Sequence, residues 1–223
     1  MSRSVWDKHW EKQLEKPTVF GCILSIVRHL VLSNYLRYLT DKHFRKKGFY
    51  LEAGAGTSQT SFRLSKLYRH YIALDYSIVA LGAARKVKVI DTLIAGDIYS
   101  LPFADNSLNG IWNIGVMEHF KESDLIKIYN EFARVLKKGG RLVVLIPPVY
   151  ASHIILLSPV EMMISKLKGR KFSFFPEELS RVKGRNHIVS LLDKTDLSLV
   201  DIEFSWKNLF FFYAVVAEHK NLN

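Results

Sequence analysis

The run Leu51-Glu52-Ala53-Gly54-Ala55-Gly56-Thr57-Ser58 places a carboxylate, a glycine pair and two hydroxyls in immediate succession. An apolar stretch that ends in an acid, then Gly-x-Gly, then a helix-starting Thr-Ser is how a first parallel strand receives a nucleotide-type ligand. Gly54 and Gly56 have no Cβ, so the backbone can turn tightly and lie against that ligand. Glu52 decides the ligand's charge. A carboxylate here repels a pyrophosphate and attracts a molecule carrying an ammonium and a sulfonium. The run therefore reads as a receptor for S-adenosylmethionine. A nicotinamide dinucleotide fits less well, because its G-x-G-x-x-G fingerprint would place Gln59 at the last glycine.

Two further acids follow at the ends of apolar runs. Asp75 lies 19 residues after Gly56, where a carboxylate accepts hydrogen bonds from both hydroxyls of a ribose. Asp97 follows in Ala95-Gly96-Asp97-Ile98. There an acid can take the exocyclic amine of an adenine while Ile98 packs on its ring. Each signal alone is weak, since an Asp at a strand end often only caps a helix. The three in order, each at a strand's carboxyl end, are far more specific.

The elements that must position these groups are short apolar runs alternating with helical stretches. Strands are expected at Phe49–Ala53, Tyr71–Leu74, within Val89–Ala95, at Leu108–Ile114 and at Arg141–Ile146. Helices are expected at Ser58–Tyr68, Ile78–Val87 and Ser123–Leu136, the last with Leu125, Ile128, Phe132 and Leu136 on one face and stopped by Gly139-Gly140. His187–Lys194 reads as a helix. Leu197–Phe204 and Leu209–Glu218 read as strands whose short connection permits only antiparallel pairing. The expected fold is α/β: a Rossmann-like doubly wound sheet, mostly parallel, with an antiparallel C-terminal strand.

Here the chain resembles the class I S-adenosylmethionine-dependent methyltransferases, closest to the branch that includes quinone and lipid methyltransferases. The resemblance runs from about Phe49 to Ile146. It rests on Glu52-Ala53-Gly54-Ala55-Gly56-Thr57, on Ala73-Leu74-Asp75-Tyr76-Ser77, and on Gly96-Asp97-Ile98 with Leu101–Leu108. Asn113-Ile114-Gly115-Val116-Met117-Glu118-His119-Phe120 and Glu131–Gly140 complete it. It implies S-adenosyl-L-methionine as cofactor, held by Glu52, Ala53, Gly54, Ala55, Gly56, Thr57, Asp75, Tyr76, Asp97, Ile98, Asn113 and Gly115. Two positions depart from the family pattern: Ser58 stands where a third glycine is common, and Asn109 where an Asp is common. Neither removes a ligand-binding group.

The sulfonium is already an activated donor, so the protein mainly has to align donor and acceptor and exclude water. A base is needed only where the acceptor must lose a proton. His119, just past the fourth strand, is the candidate catalytic residue, or else it orders that loop. His153 and Tyr150 are weaker candidates. By the same resemblance, residues 1–47 form an N-terminal helical cap on a methyltransferase domain of 48–223, and 147–186 form a lid that sets the acceptor. Both segments are apolar and basic. Ile154–Leu157 and Met162–Ile164 precede Lys166, Lys168, Arg170 and Lys171. An acceptor with an apolar body and an anionic group, or a membrane-bound one, suits that composition, as does plain lid packing.

The 223 residues suffice for one such domain, and 32 basic against 21 acidic residues give a net charge of +11. That charge admits nucleic acid, an anionic membrane surface or an acidic small molecule as partner. An RNA methyltransferase is one alternative. Against it, Asn113-Ile114-Gly115-Val116 lacks the Asn/Asp-Pro-Pro-Tyr/Phe pattern of base-amine methylators, and no RNA-binding signature is present. A non-catalytic binding module would be expected to have lost the cofactor motif. Cys22, the single cysteine, excludes an intrachain disulfide and argues against a cysteine-based metal site; it is expected to be a small buried hydrophobe. Residues 19–39 are strongly apolar but interrupted by Arg28 and His29, which disfavours a membrane span. Asp7, Glu11 and Glu15 do not suit a signal peptide, so a cytoplasmic location, with peripheral membrane contact as an option, is expected.

Overall fold

The computed structural model describes residues 3–15, 18–174 and 178–220. Seven strands form one sheet: β1 (Gly48–Ala53), β2 (Arg69–Asp75), β3 (Thr92–Ala95), β4 (Leu108–Ile114), β5 (Leu136–Ile146), β6 (Leu197–Phe204) and β7 (Tyr213–His219). Their spatial order is β3-β2-β1-β4-β5-β7-β6. The first five are parallel, and β7 runs antiparallel between β5 and β6. The helices are α1 (Arg3–Glu15), α2 (Val19–Val27), α3 (Ser33–His43), α4 (Ile78–Ala84), α5 (Glu122–Val135), α6 (Ser152–Lys168) and α7 (Arg185–Asp193). A π-turn over Arg28–Leu32 joins α2 to α3.

Alternation along each strand sorts the core into two layers. Leu51, Ala53, Ile72, Leu74 and Ile111 face one side and pack with Leu125, Ile128 and Phe132 of α5 and with α7. Tyr50, Tyr71, Trp112, Val143 and Leu145 face the other and pack with Tyr35, Leu36 and Leu39 of α3. The chain winds from β1 outward to β3, then returns to β4 on the other side of β1. That reversal opens a crevice at the carboxyl ends of β1 and β4, the place where open α/β sheets bind ligands.

Four local expectations fail for identifiable reasons. Residues 58–68 form a chain of turns, not a helix. Ser58 takes a positive φ of 51°, and the amides of Ser61 and Leu64 bond to carbonyls three residues back. The hydroxyl cluster Thr57-Ser58-Thr60-Ser61 competes with a helical ladder there. Gly139 and Gly140 do not stop α5; they lie inside β5, which begins directly at Leu136. β7 starts at Tyr213, four residues late, because Leu209 and Phe210 both adopt left-handed backbone. The side chain of Asn208 bridges that turn, donating to the Phe212 carbonyl at 3.1 Å and accepting from the Phe211 amide at 3.0 Å. Cys22 is exposed, on a helix, α2, that buries none of its residues.

Candidate active site

Glu52 ends β1 and turns into a loop held by the neighbouring strand. The amides of Gly54 and Ala55 both donate to the Leu74 carbonyl at 2.9 Å. Gly54 and Gly56 have φ of +71° and +52°, a region that favours glycine. Side chains there would also collide: a Cβ on Gly54 would fall 2.9 Å from Val116, and one on Gly56 2.7 Å from Trp10. Asp75, at the end of β2, braces this loop. Its Oδ2 accepts from the Gly56 amide at 2.7 Å and its Oδ1 from the Ser77 amide at 2.8 Å.

Helix α1 closes over the same place. Asp7 accepts from the Ser77 hydroxyl at 2.5 Å, and Arg3 donates to the Tyr76 carbonyl at 2.9 Å and lies over the Tyr76 ring. Trp6 and Trp10, four apart on one helix, turn inward: Trp10 against Gly56 and Trp6 against His119, with ring centroids 5.4 Å apart. On the adenine side, the Asp97 carboxylate accepts from the Tyr99 amide at 3.0 Å, and Ile98 is buried beneath it. Arg134 of α5 fastens the following loop, donating to the carbonyls of Leu101 and Phe103 and to Asp105, while Glu131 accepts from the Leu101 amide. The sequence match over Glu131–Gly140 thus includes a clamp on the adenine-side loop.

These groups line one cavity of about 510 Å³. Glu52, Gly54, Ala55, Gly56, Thr57, Asp75, Tyr76, Asp97, Ile98, Gly115 and His119 all face it. Two named residues do not. Ala53 is fully buried in the core, and Asn113 sits behind the wall, its amide donating to the Ala53 carbonyl and so tying β4 to β1. Of the weaker candidates, His153 lines the cavity. Tyr150 does not; its hydroxyl lies 2.7 Å from that of Tyr213.

The electrostatics carry a residue the sequence reading missed. Glu118 precedes His119 in a short 3₁₀ turn, faces the cavity and is buried. Burial pushes its carboxyl up to about 8, with Glu178 adding to the rise. Burial likewise pushes Glu52 up to about 7, against the hydroxyls of Ser58 and Ser61 and the Trp112 indole, which favour its charged form. None of those three completes a hydrogen bond to Oε2 of Glu52; that oxygen and Oε2 of Glu118 are both unpartnered. Burial also raises Asp75, despite the backbone amides of Ser77, Gly56 and Tyr76 that hold its charged form. Two buried acids, each with a vacant acceptor oxygen, and the half-buried Asp75 around one cavity fit a cationic ligand and oppose a pyrophosphate. The bare glycine loop and the Asp75 carboxylate fit its adenosyl body. The only available cue to Glu118 was its place beside His119; its burial was not legible.

Residues 51–144 match the family model described as a methyltransferase domain. A demethylmenaquinone methyltransferase of Corynebacterium kroppenstedtii is 26% identical over 71% of this chain and 70% of its own length. An uncharacterised protein of Methanocaldococcus jannaschii is 28% identical over 65% of this chain, which spans 60% of that protein's length. Among solved structures, magnesium protoporphyrin IX methyltransferase from Synechocystis PCC 6803 with bound S-adenosylhomocysteine superposes with a TM-score of 0.69, at 14% identity and 98% coverage of both chains. Over residues 51–144 the chain is similar to methyltransferase domains, its fold is that of an S-adenosylhomocysteine-bound methyltransferase, and these similarities support S-adenosyl-L-methionine as the cofactor of the site.

Proposed function

We propose that this chain methylates a small-molecule or lipid-like acceptor with an apolar body and an anionic group. The observation that carries this reading is Arg28. Its guanidinium faces the cavity from the π-turn after α2, and no described residue pairs with it. Burial lowers its pKa, yet a guanidinium stays charged in proteins. A half-buried cation with no counter-charge favours an anion that can reach it. Apolar groups share the cavity with it: Leu24, Leu32, Phe174 and Phe212 are also among its lining residues. The relatives named above act on demethylmenaquinone and on magnesium protoporphyrin IX, both small molecules.

When bound, the cofactor supplies an electrophilic methyl group on a sulfonium. The chain's own residues do the rest. Glu52 and the glycine loop hold the donor's charge, Asp75 holds the ribose, and α1 excludes water. Glu118, with a pKa near working pH, takes the proton of an acceptor hydroxyl or amine. His9, whose pKa is lowered by burial and by the neighbouring His119, Arg28 and Lys12, also lines the cavity.

Incubation with methyl-labelled cofactor and either an organic-solvent extract of cells or total RNA tests the reading. Label is expected in the organic fraction. The Arg28→Ala variant should lose at least about tenfold of that incorporation while its S-adenosylhomocysteine Kd stays within about twofold. Label confined to RNA would overturn the acceptor class. A parallel loss of cofactor affinity would reassign Arg28 to the cofactor's own carboxylate.

A further inference from the structure

Two helices present large apolar side chains to solvent. In α2 and the π-turn, Val19, Ile23, Ile26 and Leu30 are exposed, Val19 by 80%. Their spacing of i, i+4, i+7 and i+11 makes one stripe. In α6, Leu156, Val160, Met163 and Leu167 repeat that spacing, with Leu156 71% and Leu167 79% exposed. Neither helix contains a buried residue. Such residues are ordinary when scattered singly; two ordered stripes are not.

The stripes are linked through the active site. Leu24 and Arg28 from one helix and His153 from the other border the same cavity. Phe20 of α2 packs on Phe174, just beyond α6, with ring centroids 4.3 Å apart. Charge then selects what covers them. Lys166, Lys168, Arg170 and Lys171 are all exposed at the C-terminal end of the α6 stripe. Among the described residues no carboxylate pairs with any of them.

We propose that α2 and α6 form a docking face for the anionic surface of a lipid bilayer, with both helices lying in the interface. Apolar stripes enter the acyl boundary while flanking lysines meet anionic headgroups. The helical run Val19–His43 is long and apolar enough to cross a membrane by composition. Its second half is committed elsewhere, because Leu32, Tyr35, Leu36 and Leu39 are in the core. The free part, residues 19–31, is roughly 20 Å long at 1.5 Å per residue, short of the ~30 Å hydrocarbon thickness. Lying on the bilayer satisfies the stripe without unpacking the fold. The inference rests on exposed surface and charge, and holds whether or not the methyl acceptor is a lipid.

Co-sedimentation of the full chain with vesicles of phosphatidylcholine, alone or mixed with phosphatidylglycerol, tests it. The protein should pellet with the mixed vesicles and at least about tenfold less with the zwitterionic ones. Leu156→Asp with Leu167→Asp should lower partition at least about tenfold. Neither side chain lines the cavity, so S-adenosylhomocysteine binding by calorimetry should be unchanged, which reports an intact fold and an intact active site. Lys166→Glu with Lys168→Glu should remove the preference for anionic lipid. Failure to pellet with either vesicle would overturn the proposal. So would a dimer in sedimentation velocity that the double Asp variant dissociates while vesicle binding stays absent, since a second copy would then cover the face.

Discussion

Glu52→Gln is expected to weaken S-adenosylmethionine binding by at least about 30-fold and, at the same time, to raise the melting temperature of the ligand-free protein. The two effects share one cause. Glu52 is buried with Oε2 unpartnered, and burial holds its pKa at about 7 against an ordinary 4.5. A carboxyl whose pKa is higher folded than unfolded binds more protons in the folded state between those values. Stability therefore falls as pH rises from about 4.5 to about 7, and the penalty is complete above that. Glutamine keeps the shape and removes the charge. At pH 8 the ligand-free variant should melt roughly 5 °C higher than wild type; near pH 4.5 the difference should vanish. The wild-type protein tolerates this buried charge because its ligand brings the opposite one. Its affinity for the cationic donor should accordingly rise with pH through about 7, with proton release on binding below that pH. Differential scanning fluorimetry and calorimetry across pH 5 to 8 read both halves. Unchanged donor affinity in the Gln variant would remove Glu52 from the site.

Glu118→Gln should lower kcat by about 100-fold or more while leaving the S-adenosylhomocysteine Kd unchanged. The carboxyl faces the cavity from the turn after β4, and the Glu118 carbonyl is pinned by the amides of Leu179 and Ser180 at 2.7 and 3.0 Å. Burial, with Glu178 nearby, places its pKa at about 8. A base must be deprotonated to act, so the wild-type rate should climb through pH 8 and level above it, and the variant should lose that limb. His119→Ala, by comparison, removes a ring packed on Trp6 and should reduce the rate by about tenfold with the limb intact. A Glu118→Gln enzyme with wild-type kcat and an unshifted pH profile would exclude the carboxyl from proton transfer. One with altered cofactor affinity and normal kcat would make it a positioning residue.

The parallel half of the fold was legible because its signals are local. Each of the first five strands is an apolar run bounded by polar or glycine residues, and Glu52, Asp75 and Asp97 mark three carboxyl ends directly. The antiparallel pairing of β6 and β7 followed from a short connection, although the two left-handed residues that delay β7 leave no mark in hydropathy. What escaped notice depended on packing at a distance. Helix α6 has no counterpart among the predicted elements, because its exposed face is as apolar as its covered one and Pro159 lies within it, so it shows no amphipathic period. Ala53 and Asn113 sit inside the right motif, but pleat and register turn them away from the cavity. Glu118 and Arg28 became visible only as charges without partners, a property of the assembled wall.

Isothermal titration calorimetry at pH 8 with S-adenosylmethionine, S-adenosylhomocysteine and NAD tests most directly the claim that a cavity lined by acids and bare backbone was built for a cationic adenosyl donor. One equivalent of the donor and of its demethylated product should bind. The donor should bind with proton release when the titration is repeated below pH 7, and Asp75→Ala should abolish both heats. No heat with either adenosyl ligand, alongside clear binding of the dinucleotide, would contradict the account at its root.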